Sequence, residues 1–194
     1  MKNVFIINTH HYYANSEGNL SRTLVEMLSK LLEEKGFAVK QTRVDDGYDI
    51  QEEIDKHLWA DIIIPQIPVN WMGVPWTYKK YMDEIYTAAG PGVFRNGDGR
   101  TATTPKKNYG TGGVLVDKKY MLSLTFNAPG EAFNDDAEWF FAGKSEDDLM
   151  LPVHLSYKFF GLNPLKTFAC YDVMKNPDID NDLKRLQAHV AEVF

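Results

Sequence analysis

Three runs in this 194-residue chain gather residue types that do chemistry at loop-like spacing. The first is Asn8-Thr9-His10-His11-Tyr12-Tyr13-Ala14-Asn15-Ser16-Glu17-Gly18-Asn19-Leu20-Ser21-Arg22-Thr23. Its hydroxyls, amides and glycine lead into a helical pattern, where unpaired backbone N–H groups and the helix dipole favour an anion, and Arg22 adds a positive charge. The same residues also read as an ordinary helix start capped by Ser16, Asn19 or Ser21. The second run, Gln66-Ile67-Pro68-Val69-Asn70-Trp71-Met72-Gly73-Val74-Pro75-Trp76, offers a rigid backbone wall and large flat side chains. Such a wall suits an aromatic ring system, although Trp71 and Trp76 also read as a buried hydrophobic corner. The third, Leu124-Thr125-Phe126-Asn127-Ala128-Pro129-Gly130, repeats the mixture of small, amide and aromatic residues. Together they describe a phosphate end and two ring-binding walls.

Other strings fail on context. Gly97-Asp98-Gly99-Arg100-Thr101-Ala102 spells a dinucleotide fingerprint, but no strand feeds it and Thr103-Thr104-Pro105 follows instead of an apolar helix. Gly143-Lys144-Ser145 lacks the upstream glycine of a phosphate-binding loop, since position 138 is Glu138. His10 and His11 are adjacent and point in different directions, which is poor metal-ligand spacing, so both read as polar loop residues and no metal is expected. Cys170, the only cysteine, forms no intrachain disulfide and reads as a buried, inert thiol.

The elements that must position these loops follow from periodicity. Val4-Phe5-Ile6-Ile7 is apolar on both faces, as a strand inside a parallel sheet must be. Leu20, Leu24, Met27, Leu31 and Leu32 recur at helical spacing up to Gly36. Phe37 to Val44, Ala60 to Ile64, Lys119 to Phe126 and Lys166 to Val173 read as further strands. Helices are expected over Ile50 to Trp59, Trp76 to Tyr86 and Val153 to Phe160. Ile179, Leu183, Leu186, Val190 and Val193 mark a terminal helix. The alternation gives an α/β fold: a doubly wound five-stranded parallel sheet with helices on both faces. In such sheets ligands bind beyond the carboxyl ends of the strands, which is where the three runs fall. The irregular stretch from Gly90 to Gly113 is long enough to be functional or interface-forming.

Bulk composition narrows the partners. A net charge of −6 and a pI near 5.4 exclude nucleic acid as the main partner. No run approaches a membrane span, and the first apolar run is too short for a secretory signal, so a cytoplasmic location is expected.

The chain resembles the modulator of drug activity B family, bacterial NAD(P)H:quinone oxidoreductases that carry FAD on a flavodoxin-like fold. The segments that carry the likeness are Trp71-Met72-Gly73-Val74-Pro75-Trp76-Thr77-Tyr78-Lys79-Lys80-Tyr81, Asp98-Gly99-Arg100-Thr101, and Lys118-Lys119-Tyr120-Met121-Leu122-Ser123-Leu124-Thr125-Phe126-Asn127-Ala128-Pro129. The resemblance implies one flavin-binding domain over residues 1–194, non-covalent FAD, and a homodimer with its site near the subunit interface. It implies that Ser16, Glu17, Gly18, Asn19, Leu20, Ser21, Arg22 and Thr23 hold the pyrophosphate side of FAD. Val69, Asn70, Trp71, Met72, Thr125, Phe126, Asn127 and Ala128 would contact the isoalloxazine region, with Tyr109 a further contact from the long loop. The implied reaction is ping-pong hydride transfer from NADPH, or NADH, through flavin N5 to a quinone-like acceptor. Proton donation to the quinol is left open between Tyr109, His154 and solvent, and no catalytic residue is assigned. Val69, Asn70 and Pro65 depart from the family pattern, where a glycine, an aromatic and a tryptophan are expected. An FMN azoreductase or nitroreductase-like enzyme and a flavodoxin-like one-electron carrier are the alternatives on the same fold.

Overall fold

The computed structural model describes residues 2–194, and one sheet organises them. The order of elements is β1 (Asn3–Asn8), α1 (Asn19–Glu34), β2 (Ala38–Arg43), α2 (Ile50–Trp59), β3 (Ile62–Pro68), α3 (Trp76–Ala88), β4 (Lys119–Tyr120), β5 (Ser123–Thr125), α4 (Glu146–Leu149), α5 (Leu151–Phe159), β6 (Asn163–Pro164), β7 (Phe168–Cys170) and α6 (Ile179–Val193). Every strand pairing is parallel. Spatially the order is β2, β1, β3, then the β4–β5 line, then the β6–β7 line. All five expected strands are present; the fourth is split into β4 and β5, and the fifth is shortened to β7, with β6 lying ahead of its expected start at Lys166.

The split has a physical cause at Pro65. β3 does not end at Ile64 but runs through the proline to Pro68. Ile63 accepts a hydrogen bond from Met121 N at 3.0 Å, so the next rung of a parallel ladder would need an N–H from position 65. Proline has none, and the line between β4 and β5 is interrupted opposite it. α4 is too short to leave a periodic trace in the sequence; its four residues are fixed by a capping box in which Ser145 and Asp148 bond reciprocally.

The strands' two-residue alternation builds a core on each side of the sheet. Phe5, Ile7, Ile63 and Ile67 pack on one face against Tyr78, Tyr81 and Ile85 of α3 and Tyr157 of α5. Val4, Ile6, Ile62 and Ile64 pack on the other against Leu24, Leu28 and Leu32 of α1 and Leu186 and Val190 of α6. Each fully buried Val, Ile or Phe of β1 contributes about 2 kcal/mol of transfer free energy. The connection reverses direction between β1 and β3, and the crevice at that reversal faces the loops after β1, β3 and β5. Cys170 is buried and its thiol is pushed well above the usual range, mainly by that burial. Among the described residues no helix is long and apolar enough to cross a membrane.

Candidate functional site

At the carboxyl ends of the central strands the buried side chains turn polar. Asn8, Thr9, Gln66, Ser123 and Thr125 are all buried there, although the strands below them are apolar. Thr9 Oγ1 donates to Gln66 O at 2.9 Å, and Ser123 Oγ donates to Gln66 Oε1 at 2.6 Å. Gln66 Nε2 is left without a partner in the buried row. An orphaned amide of this kind calls for an additional polar group at the site.

The first loop is held by a tight turn, in which Tyr13 and Ser16 exchange backbone hydrogen bonds at 3.0 and 2.8 Å. His10 is buried beneath it, and its Nε2 lies 3.0 Å from Ser16 O. A carbonyl only accepts, so this ring carries its proton on Nε2. Burial holds His10 below the usual histidine range. Gly18 follows at φ +80°, with the imidazole where a side chain would stand: a Cβ would lie 2.4 Å from His10 Cδ2. The residue before α1 is therefore Gly18, and neither Ser16, Asn19 nor Ser21 caps the helix. No acidic side chain occupies the first turn. Sixteen residues of helix dipole thus end on free N–H groups beside the exposed Arg22, an arrangement suited to a phosphate or pyrophosphate. Arg22 is steadied by Asn19 Oδ1 and Thr23 Oγ1 by Asn19 O. Ser21 is buried and can offer only its backbone.

The second loop is a strained hairpin. Asn70 and Gly73 exchange backbone hydrogen bonds at 2.9 and 3.0 Å, and the two residues between them, Trp71 and Met72, have φ of 47° and 64°. Two consecutive left-handed non-glycine residues cost roughly 1–3 kcal/mol each. The strain exposes Trp71, which is 97% accessible, and Met72 beside it. The hydrophobic-corner reading of these tryptophans therefore fails, since Trp76 is exposed too. Val69 is tied to the third loop by its N–H, which donates to Thr125 O at 2.9 Å. In that third loop Phe126 is buried against Phe133 and Tyr171, its N–H donates to Cys170 O at 2.9 Å and its carbonyl accepts from Val173 N at 3.1 Å, so Asn127 is the residue exposed to solvent.

Residues 16–23, 69–72 and 125–128 thus share one edge of the sheet. Tyr109 does not join them. Its ring leans on Phe159, at the last turn of α5, with centroids 5.8 Å apart. That turn sits at the amino end of the sheet, because Leu115 N bonds Phe160 O and Asn163 N bonds Lys118 O. Seven residues of strand line separate Asn163 from Cys170, on the order of 20 Å. Tyr109 instead borders a groove of about 830 Å³ between α3 and α5, floored by Met82, Tyr86, Leu155 and Phe160. His154 is also removed from the edge. Its ring is engaged on both nitrogens, by Tyr120 at 2.8 Å and Asp147 at 3.2 Å, and Tyr120 lies five residues before Thr125.

The structure adds one pair that sequence spacing could not reveal. His11 Nδ1 meets Asp45 Oδ1 at 2.5 Å, and Tyr12 N donates to Asp45 Oδ2 at 3.1 Å. His11 is therefore more than a polar loop residue, and only the folded sheet, which sets β1 beside β2, brings its partner near. Desolvation alone would raise the Asp45 carboxyl, but hydrogen bonds from His11 and Tyr12 outweigh it and hold Asp45 below its usual range.

Comparison with known proteins agrees with this architecture. Residues 2–193 match the family model described as a flavodoxin-like fold. The chain is 44% identical over 192 residues to NADPH:quinone oxidoreductase MdaB of Haemophilus influenzae, covering 99% of each chain. Among solved structures, a quinone reductase described as putative from Klebsiella pneumoniae aligns with a TM-score of 0.72 at 20% identity, over 99% of this chain and 83% of that one. General stress protein 14 of Treponema denticola, solved in complex with FMN, aligns with a TM-score of 0.69 at 13% identity, over 99% of each chain. The chain belongs to the modulator of drug activity B family of flavodoxin-like proteins.

Proposed function

We propose that the chain is a FAD-dependent NAD(P)H:quinone oxidoreductase, folded as one flavin-binding domain over residues 1–194 and working as a cytoplasmic homodimer. The observation that carries this reading is the uncapped start of α1 beside the strained, exposed Trp71–Met72 turn. One feature binds an anion and the other presents a flat apolar surface, which together fit a phosphorylated aromatic cofactor. The relation to the Haemophilus influenzae enzyme supplies the acceptor class and the nicotinamide donor. FAD, when bound, supplies hydride exchange between a nicotinamide and a quinone.

The chain's own groups hold and tune that chemistry. Backbone N–H groups at the start of α1 and the Arg22 guanidinium hold the pyrophosphate. The backbone N–H groups of Trp71, Met72 and Asn127 offset negative charge at the ring, since those of Asn70, Gly73 and Phe126 are already given to Gly73 O, Asn70 O and Cys170 O. Trp71 and Met72 supply apolar contact and exclude water. Donor and acceptor use the same place in turn, a ping-pong order. A homodimer also gives Tyr109 a role: lying at the far end of its own sheet, it reaches a flavin only across a subunit interface, and the apolar α3–α5 groove beside it offers the surface. Val69 and Asn70 shape the acceptor side and set its preference.

Heat release of the flavin with chromatographic identification, together with turnover of NADPH and NADH against a quinone panel, tests the proposal. FAD and steady quinone reduction are expected; a protein that takes up no flavin and reduces no quinone refutes it. An FMN-dependent enzyme of the azoreductase kind is the second reading, favoured by the shared fold of the FMN-bound Treponema denticola protein. Recovery of FMN in place of FAD selects it.

A further inference from the structure

We propose that His11, held by Asp45, is the proton donor to the reduced acceptor; this rests on the quinone reductase reading above and deepens it. Asp45 only accepts hydrogen bonds as a carboxylate, so the proton of the neutral imidazole sits on Nδ1 and points to Asp45. Nε2 is then the atom that gains and loses a proton. The ring is part-exposed, with 28% of its side chain accessible.

Its surroundings suit a flat acceptor. Tyr13 and Trp76 meet the imidazole edge-on, with centroids 5.0 and 5.3 Å away. Both are exposed aromatic side chains, and Trp76 begins α3 directly after the strained Trp71–Met72 loop. The other four histidines offer no such atom among the described residues. His10 is spent on Ser16 O, His57 is buried among aromatic rings, His154 is tied on both nitrogens, and His189 bonds Lys166 O. The charged and titratable groups facing the His11–Asp45 pair are Arg43, itself paired with Asp46 at 3.6 Å, and His10 in the same loop.

The balance is simple. Hydride brings two electrons and one proton to the quinone and leaves one oxygen negatively charged. The Nε2–H bond of imidazolium His11 breaks, its proton goes to that oxygen, and neutral His11 is recharged from solvent. Asp45 positions the ring, the role of an orienting carboxylate behind a general acid.

The test uses the flavin-loaded protein and its His11→Gln and Asp45→Asn variants, with menadione as acceptor and NADPH as donor. Flavin bleaching by NADPH, followed by stopped flow, is expected within about twofold of the parent in both variants. Reoxidation by menadione is expected to slow by about 10²-fold in His11→Gln, the lower range for loss of a general acid. Its alkaline limb of the pH profile and its solvent deuterium effect should vanish. A second readout is independent of activity: in the flavin-free chain, imidazole ¹⁵N spectra should show His11 protonated on Nδ1 at high pH, and Asp45→Asn should weaken that preference. An unchanged pH profile in His11→Gln overturns the proposal while quinone reduction stands. No menadione turnover in the parent protein refutes the quinone reductase reading itself, and this inference with it.

Discussion

Replacing Gly18 by alanine tests the anion cradle directly, and Gly36→Ala supplies its control. Both glycines have similar left-handed backbones, φ +80° and +84°. At Gly36 nothing lies within 4 Å of where a Cβ would stand, whereas at Gly18 three atoms of the His10 ring lie within 2.9 Å. Left-handed backbone costs an alanine roughly 1–2 kcal/mol, and loss of unfolded-chain freedom returns about 0.4–1. Gly36→Ala is therefore expected to destabilise by about 1 kcal/mol, or roughly 2–4 °C in Tm for a chain of this size. Gly18→Ala adds a steric term of about 1–3 kcal/mol because the ring is buried and has nowhere to swing. Moving it also breaks the His10–Ser16 hydrogen bond, worth about 1 kcal/mol. The total is roughly 3–5 kcal/mol, so Tm should fall by about 6–20 °C. Urea melts of the flavin-free variants measure both, and FAD titration should show weaker binding only in Gly18→Ala. Equal destabilisation by the two substitutions would refute the argument that His10 buttresses the loop.

Three further outcomes follow from the same structure. Trp71→Ala should leave the urea midpoint almost unchanged, since the ring is 97% exposed, but loosen flavin or raise the KM for quinone by about 2- to 12-fold, the range for one aromatic contact. His57 is fully buried and burial pushes it down from 6.5 to about 4. The unfolded chain then takes up a proton that the native chain does not, so stability is whole above pH 6.5 and falls as pH drops toward 4. The loss reaches at most about 3 kcal/mol, and His57→Phe should flatten that part of the pH–stability curve. Cys170, buried and with a raised thiol, should resist a disulfide-exchange reagent at pH 8 until denaturant is added; rapid labelling of the native protein would contradict its place in the core.

Much of the fold is legible because hydrophobic periodicity is local. Val4 to Ile7 reads as a strand buried on both faces and the stripe from Ile179 to Val193 as an amphipathic helix, and the fold places them so. Three loops at strand ends follow from that order, and their residue types already describe an anion site and two flat walls. The strained Trp71–Met72 turn and the missing α1 cap are not legible. Both depend on backbone angles that the neighbouring strands impose, which overrule the local preference of Ser16, Asn19 and Ser21 to cap.

The sequence by itself determined the layers of this protein, the direction of its strands and the segments that crown them, because burial patterns repeat every two or 3.6 residues. Only the tertiary structure decided what meets what. The rung lost at Pro65 shows as a break in a strand more than fifty residues away along the chain. His11 finds Asp45 thirty-four residues on, and Tyr109 is carried to the opposite end of the sheet from the loops that the family resemblance assigns it to. Such contacts are set by sheet order and register, which close distances that no local pattern records.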